Sequence, residues 1–395
     1  MRPARRLADL VQSDIRRMTR ECERASGINL GQGICDLPTP PLVRDGAIAA
    51  IRANQSIYTF AEGARELRDV IAAKLRRDNG IEADPASEIC VTVGASGAYA
   101  STINALLDPG DGILFFEPYY GYHLNAALVA GLTPQFVTLS PPDFALTEAS
   151  LRAALTERTR ALVLCTPSNP SGKMFTREEL QAVARAARER DLLVITDEIY
   201  EYIRYDGRPH VSPATVDGLR ERTVSIMGLS KTFSITGWRL GYTVAPAELT
   251  RAITLVNDLY YVCAPTPLQL GAAAGFNAPQ SYFDDLQSSY QKKRDAICAA
   301  LSAAALRPIV PQGAYYVLAD CSALGFATAR EAAMHLLETK RVASIPGTAF
   351  YRGSAGEKLL RFCFAKDDDV LDEACRRLRA EGPASTGGAR RAEHR

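Results

Sequence analysis

Residues 223–242 read TVSIMGLSKTFSITGWRLGY. A short apolar, β-branched run, Val224, Ile226 and Met227, predicts a buried strand that breaks at Gly228. Ser230 and Lys231 then stand where that strand stops. Thr236 to Arg239 form a second turn, and Leu240 to Val244 a second apolar strand. The arrangement points one ammonium and, eight residues later, one guanidinium at the same pocket. A buried lysine has its pKa lowered by desolvation and neighbouring cations, and its neutral amine adds to carbonyls to give Schiff bases. Arg239 keeps its charge and suits a phosphate. Alone, the Ser-Lys pair fits a surface loop as well, so the rest of the chain has to decide.

The segment resembles the lysine signature of fold-type I enzymes that use pyridoxal phosphate, above all the class I/II aminotransferases, and similar blocks run from about Ile28 to Leu378. The resemblance implies an α/β fold, a large, doubly wound, mostly parallel sheet domain with a smaller α+β domain. The expected division is 1–44 as N-terminal arm and part of the small domain, 45–280 as the large domain, 281–381 as the C-terminal small domain, and 382–395 as a disordered tail.

Composition narrows the function independently. A chain of 395 residues that is 47% hydrophobic can bury a sizeable core. Its net charge of +1 implies no nucleic-acid or membrane partner. Nine scattered cysteines without a CxxC pair favour reduced thiols in a cytoplasm over disulfides or zinc. Four histidines with no two at ligand spacing argue against metal chemistry or a histidine-led triad. The arginine-rich start carries acids and no apolar core, so it reads as a helical arm rather than a targeting peptide.

Taken in order, INLGQGICDLPTPP (28–41) is a glycine-rich loop before a helix from Leu42 to Ala53. Its glycines let backbone approach a ligand closely; an ordinary interdomain loop is the plainer reading. The resemblance sets Gly33 beside the substrate carboxylate, although Cys35 replaces the family's usual proline. Tyr58 precedes a helix from Glu66 to Arg77, and the resemblance sends its hydroxyl to the cofactor phosphate of the other subunit. A core tyrosine fits too.

From Ile89 short apolar strands alternate with helices. Strand 89–93 ends at Gly94-Ala95-Ser96-Gly97, where a helix N-terminus favours phosphate. Strand 113–116 ends near Tyr120, which the resemblance stacks on the cofactor ring and which core packing would also explain. Strand 161–165 ends in TPSNPSG, whose two prolines make a rigid turn around Asn169. In the family that asparagine bonds the cofactor's phenolic oxygen and lies near the substrate carboxylate; Ser171 stands where the family has threonine. Strand 192–196 ends at Asp197, and an acid there is costly unless paired. A protonated pyridine nitrogen would pair it, while Tyr200 would bond the phenolic oxygen. Ser96, Tyr120, Asn169, Asp197 and Lys231 thus all fall at the carboxyl edge of predicted strands, where open α/β sheets bind ligands.

Beyond Pro246 the expected elements are a helix from Leu249 to Tyr260, a break at Pro265-Thr266-Pro267, and a long helix from Asp284 to Leu306. An α+β unit follows: strand Ala314–Leu318, helix Thr328–Glu338, strands Val342–Pro346 and Leu359–Phe364, and helix Asp369–Leu378. Arg361 is a lone cation in an apolar strand. It matches the family arginine that forks onto the substrate α-carboxylate, and a structural ion pair is the alternative.

The resemblance therefore implies a homodimeric aminotransferase using pyridoxal 5'-phosphate to move an amino group between an L-amino acid and a 2-oxo acid. Lys231 would carry the cofactor as a Schiff base and move the proton. Ala95, Ser96, Ser230, Arg239 and the other subunit's tyrosine equivalent to Tyr58 would hold the phosphate; Gly228, where many relatives have serine or asparagine, removes one contact. A neutral or aromatic donor is expected first and aspartate second. The alternatives are β- or γ-elimination or cyclisation on the same scaffold, and, from another class, a non-catalytic binding protein.

Overall fold

The computed structural model describes residues 4, 7, 10 and 14–380. The tail at 382–395 and most of the first turns of the arm lie outside the described residues. Helix α1 (Asp14–Arg24) buries Met18 and Cys22 and leaves its many charges outward, as an amphipathic pattern requires. It is followed by β1 (Ile28–Asn29), α2 (Pro41–Arg52) and α3 (Arg65–Lys74). The expected helix from Glu66 to Arg77 is closed by a π-helical turn at Leu75–Asn79, stopped by Gly80 at φ +67°.

The central sheet then builds up through β2 (Ile89–Val93), α4 (Gly94–Leu106), β3 (Gly112–Glu117), α5 (Gly121–Val129), β4 (Thr133–Thr138), α6 (Glu148–Ala154), β5 (Thr159–Cys165), α7 (Arg177–Glu189), β6 (Leu193–Asp197), β7 (Thr223–Gly228), α8 (Leu229–Thr232) and β8 (Leu240–Val244). The seven strands lie in the order β2-β8-β7-β6-β5-β3-β4. Strand β8 is antiparallel to both neighbours, and the pairs from β7 through to β4 are parallel. Strands β2 and β8 coincide with their expected bounds. The sequence reading missed β4: its polar, proline-containing TPQFVT sits at the sheet edge, where Pro134 breaks no interior ladder. Helix α7 starts at a capping box, with Thr176 accepting from the Glu179 amide and Glu179 accepting from the Thr176 amide.

Helices α9 (Ala247–Tyr261), α10 (Thr266–Gly275) and α11 (Gln280–Ala303) carry the chain away from the sheet. The expected break at Pro265-Thr266-Pro267 is also a start, because Pro267 occupies the first turn of α10, where a missing N–H costs nothing. A second sheet follows, built from β9 (Arg307–Ile309) and β10 (Tyr316–Asp320), with α12 (Ala329–Lys340), β11 (Val342–Ala343), β12 (Ile345–Pro346), β13 (Leu359–Cys363) and α13 (Asp368–Arg379) completing the chain. Its order is β12-β13-β10-β9, antiparallel throughout. The single strand expected over Val342–Pro346 is divided at Ser344. Its first half, β11, pairs in parallel with β1, and its second half, β12, pairs with β13. Strands β1 and β11 form a separate two-stranded sheet, and the loop after β1 is tied to the second sheet by the Cys363 amide, which donates to the Leu30 carbonyl at 2.6 Å. Among the described residues no helix is long and apolar enough to cross a membrane.

Candidate active site

The parallel strands present their carboxyl ends to a cleft of about 350 Å³. Ala95, Ser96, Tyr120, Asp197, Ser230, Lys231 and Arg239 all line it, each singled out in the sequence. Lys231 sits on α8, a single turn that follows β7 directly and swings the lysine off the strand axis. Its Nζ lies 5.2 Å from the centroid of the Tyr315 ring. Burial holds the Lys231 pKa below the ordinary lysine value, outweighing Asp197, which favours the charged form; Arg239 pushes the same way as burial.

Asp197 ends β6 and is buried, with His123 Nε2 3.2 Å from its Oδ2. Tyr120, at the N-cap of α5, packs edge-on to His123 at 5.1 Å between ring centroids. Arg239 stands in the left-handed region at φ +57° and donates to the Thr236 carbonyl at 2.9 Å. A Cβ at Gly94 would come within 2.7 Å of Arg239 Nη2, so the guanidinium lies against the opening of α4. Two serine hydroxyls, a helix N-terminus and an arginine together form an anion-binding donor set.

Arg361 is 1% exposed, and among the described residues no carboxylate pairs with it. Its Nη1 donates to Asn169 Oδ1 at 2.9 Å and its Nη2 to the Gly31 carbonyl at 2.6 Å, while Nε has no partner. The rings of Tyr316 and Phe350 lie 4.4 and 4.7 Å from the guanidinium carbon. A buried cation left without a counter-charge is a poor structural device and a good receptor for a carboxylate.

The model of the family "Aminotransferase class I and II" matches residues 25–378. The chain belongs to the class I and II aminotransferases. Among curated relatives, the probable N-succinyldiaminopimelate aminotransferase of Mycobacterium tuberculosis is 36% identical, covering 92% of this chain and 94% of its own. Kynurenine–oxoglutarate transaminase 3 of Mus musculus is 35% identical over 88% of this chain and 83% of its own. Among solved structures, the Mycobacterium tuberculosis N-succinyldiaminopimelate aminotransferase superposes at a TM-score of 0.92 with 35% identity, over 96% of this chain and 99% of its own. YbdL of Escherichia coli, described as having a methionine aminotransferase function, superposes at 0.92 with 32% identity, over 96% and 99%. This aminotransferase therefore moves amino groups between amino acids and oxo acids.

Five expected site residues of the aminotransferase lie outside the cleft lining: Arg361, Asn169, Tyr200, Tyr58 and Gly33. Asn169 is buried on Arg361. Tyr200 is 2% exposed and donates to the Tyr316 hydroxyl at 3.4 Å. Tyr58 is 78% exposed and far from being a core tyrosine. At Gly33 the missing Cβ makes room for protein: a Cβ would come within 1.8 Å of the Tyr316 hydroxyl oxygen. Cys35, in place of the family's proline, has its sulfur 3.3 Å from Ser234 Oγ and 3.3 Å from Tyr290 Oη, tying the glycine loop to the Lys231 turn. At Gly228 a Cβ would meet Ile199 Cγ2 at 2.8 Å, so the space for a serine is already filled.

Sequence reasoning missed His123, Tyr99 and Tyr122, which complete the cleft wall of the aminotransferase. The available signal was their spacing. His123 falls three residues after Tyr120 and Tyr99 three after Ser96, the i, i+3 spacing that puts side chains on one helix face.

Proposed function

We propose that the protein is a pyridoxal-phosphate-dependent aminotransferase that prefers neutral or aromatic amino donors, with aspartate second. The observation that carries this reading is Lys231, an amine with a lowered pKa, between a buried Asp197 and the Arg239 anion site in one cleft. The residues fit the cofactor. Ala95, Ser96, Ser230 and Arg239 supply donors for its phosphate, Tyr120 offers a ring face, and Asp197, without a lysine or arginine partner among the described residues, suits a protonated pyridine nitrogen. Bound there, the cofactor supplies an aldehyde that combines with amines and a ring that takes up electrons from the donor's α-carbon.

The chain's own residues then divide the work. Arg361 binds the donor's α-carboxylate through its unpartnered edge, and Asn169 holds the guanidinium in plane. Lys231 Nζ, as a neutral amine, would take the proton from the donor's α-carbon and hand it on toward the cofactor side. Burial lowers the pKa of that nitrogen from the ordinary lysine value, which favours the neutral amine that accepts the proton. Tyr200, whose hydroxyl now donates to Tyr316, would turn to the cofactor's phenolic oxygen, as the family resemblance implies. Tyr99, Tyr120 and Tyr122 give the cleft aromatic walls, and besides Lys231 and Arg239 its described lining contains no lysine or arginine to hold a second carboxylate, which supports the donor preference.

A homodimer fits the surface. Ile57, Tyr58 and Phe60 are 82%, 78% and 81% exposed, and α9, whose Asn257 holds the adjoining Ala61 carbonyl, exposes Leu255 and Leu259 at 68% and 78%. Thr266 Oγ1 donates to the Ile57 carbonyl and Asn257 Nδ2 to the Ala61 carbonyl, which fixes this loop on α9 and α10. An apolar patch of that kind is an interface. All nine cysteines are free, which supports a cytoplasmic setting.

The test is the visible spectrum of the protein with added pyridoxal phosphate, followed through a panel of single amino acids and then a 2-oxo acid. A band that is bleached by neutral or aromatic donors and restored by the oxo acid supports the assignment. No band overturns the cofactor, and bleaching by dicarboxylic donors alone overturns the donor class.

A further inference from the structure

Tyr316 is not among the residues that sequence singles out, yet it touches Arg361, Tyr200 and Gly33. Arg361 lies directly across from Leu318 in the β10–β13 ladder. Tyr316, two residues before Leu318, therefore shares that face and stands diagonal to Arg361, within reach of a long side chain. The guanidinium carbon sits 4.4 Å over its ring. Its hydroxyl lies 3.4 Å from the Tyr200 hydroxyl and occupies the space that Gly33 leaves by lacking a Cβ. Ring and hydroxyl both need the glycine, since a Cβ at Gly33 would come within 2.7 Å of Tyr316 Cζ as well as 1.8 Å of its hydroxyl oxygen, and the hydroxyl is the part that reaches Tyr200.

Resting on the function proposed above, we propose that Tyr316 is a positioning residue that links Arg361 to Tyr200. Its hydroxyl holds the Tyr200 hydroxyl in place, and when Tyr200 turns its own proton toward the cofactor's phenolic oxygen, Tyr316 donates to the oxygen that Tyr200 leaves open. The two bonds in series polarise one another. Arg361 on the ring face makes Tyr316 a better donor, so a carboxylate docked on Arg361 weakens that donor and is felt at Tyr200. Burial pushes Tyr316 up to about 12 against the lowering pull of Arg361, so the proton is in place across the working range. The titratable groups around the pair are Arg361, Cys363 and Tyr315 at Tyr316, and Tyr120 and Cys165 at Tyr200. The cysteine and tyrosine pKa values among these are raised by burial.

The experiment is a pH titration of the visible band of the cofactor-loaded protein, for the wild type, Tyr316→Phe and Tyr200→Phe, each with and without 3-phenylpropionate as an unreactive carboxylate. Tyr316→Phe should raise the midpoint by roughly half to one pH unit, the size of one hydrogen bond, and Tyr200→Phe by more. The carboxylate should move the wild-type midpoint further than that of Tyr316→Phe. Gly33→Ala, whose Cβ pushes the Tyr316 hydroxyl aside, should reproduce the Tyr316→Phe midpoint, and does so even if Tyr316→Phe cannot be purified. A Tyr316→Phe protein with the wild-type midpoint and the wild-type carboxylate response, while Tyr200→Phe is shifted, overturns the link and leaves the proposed function standing. A wild type with no visible band overturns both.

Discussion

Arg361 Nη1 and Asn169 Oδ1 are 2.9 Å apart, the distance of a full hydrogen bond between β13 of one sheet and the turn after β5 of the other. An uncharged amide is what faces this guanidinium, where a structural cation would have a carboxylate. The pairing leaves the positive charge in place and fixes its plane.

Arg361→Met should therefore act on activity far more than on folding. Losing a buried, charge-assisted contact to substrate costs about 2–5 kcal/mol, roughly 30- to 5000-fold in kcat/KM for the amino donor. The cofactor-free variant should stay close to wild type in Tm, because the charge it removes had no counter-ion within the chain. Steady-state kinetics and thermal melts on the same preparation check both halves. A large drop in Tm with unchanged kcat/KM assigns Arg361 to structure.

Lys231 makes a prediction about pH in the cofactor-free protein. Its folded pKa lies below the unfolded value of 10.5. Between the two values the unfolded chain binds a proton that the folded chain does not, so stability rises with pH through that window. Below the folded pKa the whole penalty is present. Lys231→Met removes it, and the variant's advantage should be greatest near neutrality and shrink as pH climbs toward 10.5. Urea midpoints of both proteins across that range measure the effect; a difference independent of pH would contradict the burial of the amine.

Lys231, Asp197 and Arg361 were legible in the sequence because each stands at, or within, a short apolar run, where a charge has no reason to be unless it has a use. The parallel order of the central strands was legible for a similar local reason: β3, β4 and β5 are each followed by a helix. His123, Tyr316 and the hydroxyl slot at Gly33 were not, because their meaning lies in contacts between residues far apart in the chain. Tyr316 and Gly33 are 283 positions apart in a chain of 395, and no periodicity in either segment announces the other. The division of Val342–Pro346 escaped for a related reason, since Ser344 changes pairing partner without changing the apolar pattern on either side.

Lys74 and Glu201 supply a stability prediction away from the site. They are 1% and 7% exposed, with Lys74 Nζ 2.5 Å from Glu201 Oε1. Asn79 bonds both, accepting from Lys74 at 2.8 Å and donating to Glu201 Oε2 at 2.7 Å. Lys74→Met leaves a buried carboxylate with one amide and should cost about 3–5 kcal/mol. The double variant Lys74→Met with Glu201→Gln should regain part of this by removing the stranded charge. Denaturant melts of the two variants against wild type test the pair, and a double variant no better than the single would mean that the charge was never the problem.

Tyr58 carries the test of the dimer. It is 78% exposed on a loop that includes Ile57 and Phe60, and it does not line the cleft of its own chain. If its hydroxyl completes the phosphate site of the other subunit, Tyr58→Ala should weaken cofactor binding, and the defect should be repairable from outside. Lys231→Ala subunits bring an intact Tyr58 to a mixed dimer, and Tyr58→Ala subunits bring an intact Lys231. Co-refolding the two should therefore restore wild-type cofactor affinity at one site of each mixed dimer, since the good lysine and the good tyrosine then meet across the interface. Phe60→Glu with Leu259→Glu should place charges in the apolar patch, shift the protein toward monomers in sedimentation, and abolish the rescue. Weak binding that mixing fails to repair, in a protein that still sediments as a dimer, would show that Tyr58 serves its own chain.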